Sequence, residues 1–243
     1  MKPFLLLATR ADDDVADAEH AAVLRCGGLD EGDLVRVRLE REPMPDLDVD
    51  AYSGIVVGGS PFCTSDPEEE KTPTQVRVER ELSTLLDRVV EQDVPFLGAC
   101  YGVGTLGVHQ GGVVDRTYGE PISAVPVTLT DAGRADPLLD GLPDTFSAFV
   151  GHKEALTVPP PHAVVLARSA TCPVQVFRVG ENCYATQFHP ELDLDGIVQR
   201  VNAYRDEGYF PVEEHQQVLA DLRRTRVEVA HRVLRNFVDR YRR

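Results

Sequence analysis

Hydrophobic positions in the first hundred residues fall into two alternating rhythms. Phe4–Ala8 is an unbroken apolar run, Val15–Cys26 carries apolar residues at helical spacing up to Gly27-Gly28, and Leu34–Leu39 alternates apolar and basic. Tyr52–Val57 is apolar again and closes in GGSPF. Thr74–Glu91 then places Val76, Leu82, Leu85, Leu86 and Val89 on one face of a predicted helix, and Val94–Ala99 is a further short strand. Apolar runs that alternate with helices predict a largely parallel sheet covered on both faces. Ligands bind beyond the carboxyl ends of such strands, where GGSPF and Cys100 both fall.

The rhythm changes in the middle of the chain. Ile122–Leu129, Phe146–Val150, Val164–Ala167, Pro173–Val179 and Cys183–Phe188 read as short strands separated by Pro, Gly and Asp, hence as antiparallel hairpins appended to the sheet. Beyond Pro190 the pattern is helical over Leu194–Arg205, Val212–Arg223 and Val227–Tyr241. No repeat or long linker divides residues 1–243, so one domain is expected, with a helical extension from about 192.

Composition narrows the classes of function. At 42% hydrophobic residues the 243-residue chain can build a sizeable core. A formal net charge of -15 argues against nucleic-acid binding, and no apolar stretch approaches the length of a membrane span. With no leader-like N-terminus, a cytoplasmic location is expected. Eight arginines against three acids in residues 216–243 read as the solvated side of a helix. The five cysteines (26, 63, 100, 172 and 183) form no CxxC pair and no zinc pattern; no metal or other cofactor is expected.

One cysteine differs from the rest. G-A-C-Y-G places Cys100 between a strand and a predicted helix, the pattern of a nucleophile elbow. There the helix dipole would favour thiolate. By itself the elbow leaves two readings open, a nucleophile or a cysteine that fills the core. QFHPELD supplies a base, His189 at a strand end, and Glu191 beyond Pro190 to orient it. The backbone N–H of Tyr101 is a natural oxyanion donor, and the Gly58-Gly59 turn can bring a second.

The ordered set VVGGSP, FLGACYGVG, FVGHKEAL and ATQFHPELD resembles the class I (triad) glutamine amidotransferases, above all stand-alone relatives of the amidotransferase domain of GMP synthase. The resemblance implies a three-layer, flavodoxin-like fold. It also implies a triad of Cys100, His189 and Glu191, a γ-glutamyl thioester, and an oxyanion hole at Gly59 and Tyr101. Gly58, Gly104, Gly151 and His152 fall at substrate-side positions.

Three departures bear on substrate. The family's elbow carries a substrate-holding glutamine where this chain has Gly104, which would weaken glutamine binding or open room for a larger γ-glutamyl compound; His109 and Gln110 lie too far along the helix to replace it. Gly151 stands where the family has serine. The segment 192–224, with AYRDEGYFP, would cover the site's mouth, form a subunit contact, or simply complete the core. No P-loop is present, so ammonia would pass to a separate synthetase subunit or be released by a free-standing hydrolase. A γ-glutamyl hydrolase acting on conjugates and a catalytically silent binding module are the alternatives, and a homodimer is allowed.

Overall fold

A computed structural model describes residues 2–243. The predicted alternation is present as β1 (Phe4–Ala8), α1 (Asp13–Gly27), β2 (Leu34–Arg38), β3 (Ile55–Val57), α2 (Pro73–Glu91), β4 (Phe96–Ala99) and α3 (Tyr101–His109). There follow β5 (Val113–Asp115), β6 (Glu120–Leu129), α4 (Asp131–Ala135), β7 (Thr145–His152), β8 (Ala155–Val158), β9 (Val164–Arg168), β10 (Val176–Val179) and β11 (Cys183–Thr186). The helices α5 (Leu194–Ala203), α6 (His215–Arg224) and α7 (Arg232–Tyr241) end the chain.

Nine strands form one mixed sheet in the order β2-β1-β3-β4-β11-β10-β9-β6-β7, and β5 pairs with β8 in a small separate ribbon. The five strands from β2 to β11 run parallel, and the remaining pairings are antiparallel. The apolar run Cys183–Phe188 is thus more than part of an appended hairpin. Its first four residues complete the parallel half beside β4 while also pairing antiparallel with β10.

Each face of the sheet has its own core. Phe4, Leu6, Val56 and Tyr184 point toward α1 and α7, where Val23, Val233, Leu234 and Phe237 meet them. Leu5, Leu7, Ile55, Val57 and Phe96 point the other way, toward Val78, Leu82, Leu85, Leu86 and Val89 of α2 and Leu106 of α3. This alternation is the period-2 geometry of a strand buried on both sides. Val76 is an exception to the predicted face of α2: it is 40% exposed, and Val78 takes the buried position. A third cluster joins Ile122 and Phe149 of the antiparallel strands to Ile197 and Val201 of α5 and Leu219 and Leu222 of α6. The C-terminal arginines lie on exposed surface; Arg235, for example, pairs with Asp239 one turn along α7.

Candidate active site

Register brings the two chemical motifs together. Thr186 of β11 lies beside Ala99 of β4, and the backbone N–H of Cys100 donates to the carbonyl of Thr186 at 2.7 Å. Both strands therefore end at the same level. Cys100 turns sharply there, with φ 54° and ψ -84°, one of only two non-glycine residues with positive φ among the described residues. The turn is tight because Gly98 and Gly102 touch: a Cβ on Gly98 would lie 2.6 Å from the Gly102 Cα. Three residues past β11, the N–H of His189 donates to the carbonyl of Phe149. Its imidazole and Cys100 then line one cavity together with Gly151 and Ser60.

His189 Nδ1 and Glu191 Oε1 are 2.8 Å apart. With an ionised Glu191 accepting, Nδ1 carries the proton and Nε2 keeps its lone pair. Burial alone opposes the charged form of Glu191, but the His189 contact and the Arg200 charge outweigh it and hold the carboxyl well below the usual carboxylate range. Burial also depresses His189, assisted by Arg200 and Arg10, so the ring stays neutral to lower pH than an ordinary imidazole. The expected helix-dipole effect on Cys100 does not prevail. Burial pushes its thiol up to about 12, with Arg10 and Arg200 pulling the other way. Buried Cys63, Cys172 and Cys183 are pushed equally high, so thiol acidity does not single out Cys100. What distinguishes it is the shared cavity with His189. Cys63 is only 5% exposed, which limits access to its sulfur.

The glycine motif divides into separate tasks. The N–H of Gly58 is already spent on the carbonyl of Leu7, whereas Gly59 faces the site: a Cβ there would strike the Arg10 guanidinium and come within 2.6 Å of His189 Cε1. Tyr101 opens α3, where a first-turn N–H has no partner within the helix. Gly104 does not leave open room. A Cβ at that position would meet Glu154 Oε1 and Thr64 Oγ1, each at 2.7 Å. Glu154 accepts from the Thr64 and Ser65 N–H groups at 2.9 and 2.8 Å, tying β7's end to the loop beyond Gly59. His152 is also displaced from its expected role. Its ring is buried between the Glu120 carboxylate, 2.7 Å from Nε2, and the Glu154 carbonyl, 2.8 Å from Nδ1, and it does not line the cavity.

Two arrangements were not anticipated from the sequence. Glu120, His152 and Cys172 approach closely enough to be considered as metal ligands. Their polar atoms are already committed, however: Glu120 to Ser169, Thr171, Gln175 and His152, and Cys172 Sγ to the Val174 carbonyl. The second is a buried charge network at the cavity wall. Arg10 Nε donates to Glu19 Oε1 at 2.7 Å, and Arg200 approaches Glu19 and Glu191 at 3.4 and 3.5 Å. Glu19 and Arg200 betray themselves in the sequence, since each sits on its helix's apolar stripe: Val15-Ala16-Glu19-Val23 and Ile197-Arg200-Val201.

The family model for glutamine amidotransferase class-I matches residues 32–197, well over half the chain. The chain belongs to this family. Among relatives of this amidotransferase, a subunit of glutamine-hydrolyzing GMP synthase from Pyrococcus abyssi is 30% identical over 151 residues, covering 62% of this chain and 72% of that one. Its counterpart from Methanothrix thermoacetophila is 28% identical over 161 residues, 66% of this chain and 78% of that one. Against the GMP synthase of Hamiltonella defensa the match is 28% over 148 residues, 57% of this chain but only 25% of that one, so this amidotransferase spans about a quarter of that relative. The fold is shared with a crystal structure of a glutamine amidotransferase from Thermotoga maritima, at TM-score 0.76 and 22% identity over 99% and 98% of the two chains. No helix among the described residues is long and apolar enough to cross a membrane.

Proposed function

We propose that the chain hydrolyses the γ-amide of glutamine to glutamate and ammonia with Cys100 as nucleophile, His189 as acid–base and Glu191 as its orienter. The observation that carries this reading is the common ending of β4 and β11, beyond which the strained Cys100 elbow and His189 line one cavity while Glu191 pairs with the imidazole. Cys100 Sγ attacks the γ-carbonyl carbon as its proton moves to His189 Nε2. The oxyanion is held by the N–H groups of Gly59 and Tyr101. Collapse breaks the C–N bond, His189 returns the proton to the departing ammonia, and a γ-glutamyl thioester remains. A water, deprotonated by His189, then releases glutamate and restores the thiol. Because the resting thiol is neutral, proton transfer and attack are coupled steps.

The relatives that are single subunits of GMP synthase support delivery of the ammonia to a separate synthetase chain, in the cytoplasm, where the five free cysteines stay reduced. A second reading is hydrolysis of a γ-glutamyl conjugate: no side chain at Gly104 can hold free glutamine, although Glu154 and Thr64 fill the space there. Ammonia and glutamate measured from glutamine, beside a panel of γ-glutamyl amides and a Cys100→Ala control, test both readings. Turnover of glutamine that needs Cys100 supports the first reading, and turnover of conjugates alone supports the second. Equal rates with Cys100→Ala would end both.

A further inference from the structure

Resting on the reading that a γ-glutamyl donor enters this cavity, we infer that Arg10 is the receptor for a carboxylate of that donor, and that Tyr204 occupies the receptor until the donor arrives. Arg10 follows β1 directly, at the same sheet edge as Gly59 and Cys100, and is 3% exposed. Its fork has three different surroundings. Nε donates to Glu19, Nη1 donates to the Tyr204 hydroxyl at 2.9 Å, and Nη2 lies against Gly59 beside His189 with no hydrogen-bond partner among the described residues. Arg200, 5% exposed, lines the same wall, and its only partners there among the described residues are the long contacts to Glu19 and Glu191.

Arg10 and Arg200 already act on His189 through their charge, but the proposed chemistry leaves one donor of the buried Arg10 guanidinium, Nη2, without a partner among the described residues. Such groups are costly to bury unless their donors are matched, and the planar fork of arginine matches a carboxylate bidentately. Tyr204 is a poor final partner for Nη1, because its neutral hydroxyl brings no opposite charge and accepts from only one arm of the fork, whereas a carboxylate supplies both. It is well suited as a placeholder.

The cavity has the same implication. It holds about 30 Å³, a fraction of the ~150 Å³ of a cavity that takes a benzene-sized guest. Tyr204 and Tyr209 line it, their ring centres are 6.2 Å apart, and the Lys153 ammonium lies 4.7 Å from the Tyr209 ring centre. An amino-acid amide enters only if the turn from Tyr204 to Phe210 moves away, and that movement breaks the Arg10–Tyr204 bond. One guanidinium thus closes the empty site and reads the charge of the loaded one. The segment 192–224 accordingly does two things: α5 and α6 complete a core, and the turn between them covers the mouth.

Alkylation of Cys100 tests this without requiring turnover. Rates for iodoacetate and iodoacetamide are measured by mass spectrometry of the Cys100 peptide, and their ratio is normalised to that of glutathione. Tyr204→Phe frees Nη1 and keeps every buried charge. It should accelerate both reagents and raise the iodoacetate preference roughly tenfold. Arg10→Gln, checked for folding by its melting curve, should bring the ratio below wild type. An unchanged ratio and rate in Tyr204→Phe would overturn the proposal, whatever becomes of the Arg10 variant. Protection by L-glutamine and by γ-glutamylglycine locates the carboxylate. If Tyr204→Phe strengthens protection by both, Arg10 reads the donor's α-carboxylate; if only by γ-glutamylglycine, Arg10 reads the leaving group; strengthening of neither contradicts the receptor. Retained charge preference in a protein that hydrolyses no γ-glutamyl compound would sink the proposed function and leave the receptor standing.

Discussion

Glu154 stands where a side chain on residue 104 would have to go. Its Oε1 lies 2.7 Å from the position of a Cβ on Gly104, and the same carboxylate anchors Thr64 and Ser65 of the loop beyond Gly59. A side chain on residue 104 would therefore have to displace the carboxylate that holds that loop.

Gly104→Gln should accordingly impair the protein, although it restores the family residue. Overpacking of this kind costs about 1–3 kcal/mol, a fall of several degrees in Tm for a chain of this size. KM for glutamine should not improve. Adding Glu154→Ala should recover part of the lost Tm. Thermal melts and KM values of these two variants and the unaltered protein check this; a Gly104→Gln protein with unchanged Tm and a lower KM would mean that the space is free.

Cys100 should reverse the usual ranking of alanine and glycine. At compatible sites glycine is about 0.4–1 kcal/mol less stable than alanine, but a side chain at φ 54° and ψ -84° is strained. Cys100→Gly should therefore be more stable than Cys100→Ala, as read from urea unfolding. The reverse order would remove strain from the description of the elbow.

The pH dependence follows from His189. Its folded pKa is depressed, first by burial, so the neutral base persists below the ordinary imidazole range. kcat/KM should rise through an apparent pKa below 6.5 and then stay level through neutral pH, since the Cys100 thiol does not ionise there. Arg200 contributes to that depression, so Arg200→Met should move the rising limb to higher pH. A limb that stays in place in this variant would contradict the charge coupling.

The C-terminal extension is proposed to belong to a single domain spanning 1–243. Phe237 of α7 packs on Phe4 of β1 with ring centres 6.0 Å apart, on the sheet face opposite α2 and α3. Phe237→Ala should cost about 3–5 kcal/mol in one cooperative transition while KM for the substrate stays the same. Two separated transitions would divide the chain into two domains.

Much of this was legible in the sequence because local signals agreed. The runs at Phe4–Ala8 and Phe96–Ala99 are too apolar for a one-sided sheet, and α2 has both a clear stripe and a capping threonine, Thr72. The role of β11 was not legible. A four-residue strand with three apolar positions fits a hairpin or a parallel strand equally, and its pairing with β4 joins segments some 87 residues apart. β5 and β8 escaped because three or four residues between glycines and prolines carry no period. At the site, the elbow at Cys100 left a nucleophile and a core cysteine open, and the QFHPELD stretch offered His189 and Glu191 as a candidate base and its orienter. The contacts of His152 and Glu154 depend on which loop folds over them, and no spacing reports that. Arg10 had the faintest signal, a lone cation closing an apolar strand.

The most direct test of the central claim is the covalent state of Cys100 during turnover. Protein mixed with glutamine, quenched in acid within the turnover time and digested, should show a γ-glutamyl group on the Cys100 peptide and none on the peptides of Cys26, Cys63, Cys172 or Cys183. His189→Ala should abolish or greatly slow its formation. Ammonia release with no adduct on Cys100 under any quench, or with undiminished rate in Cys100→Ala, would contradict the account.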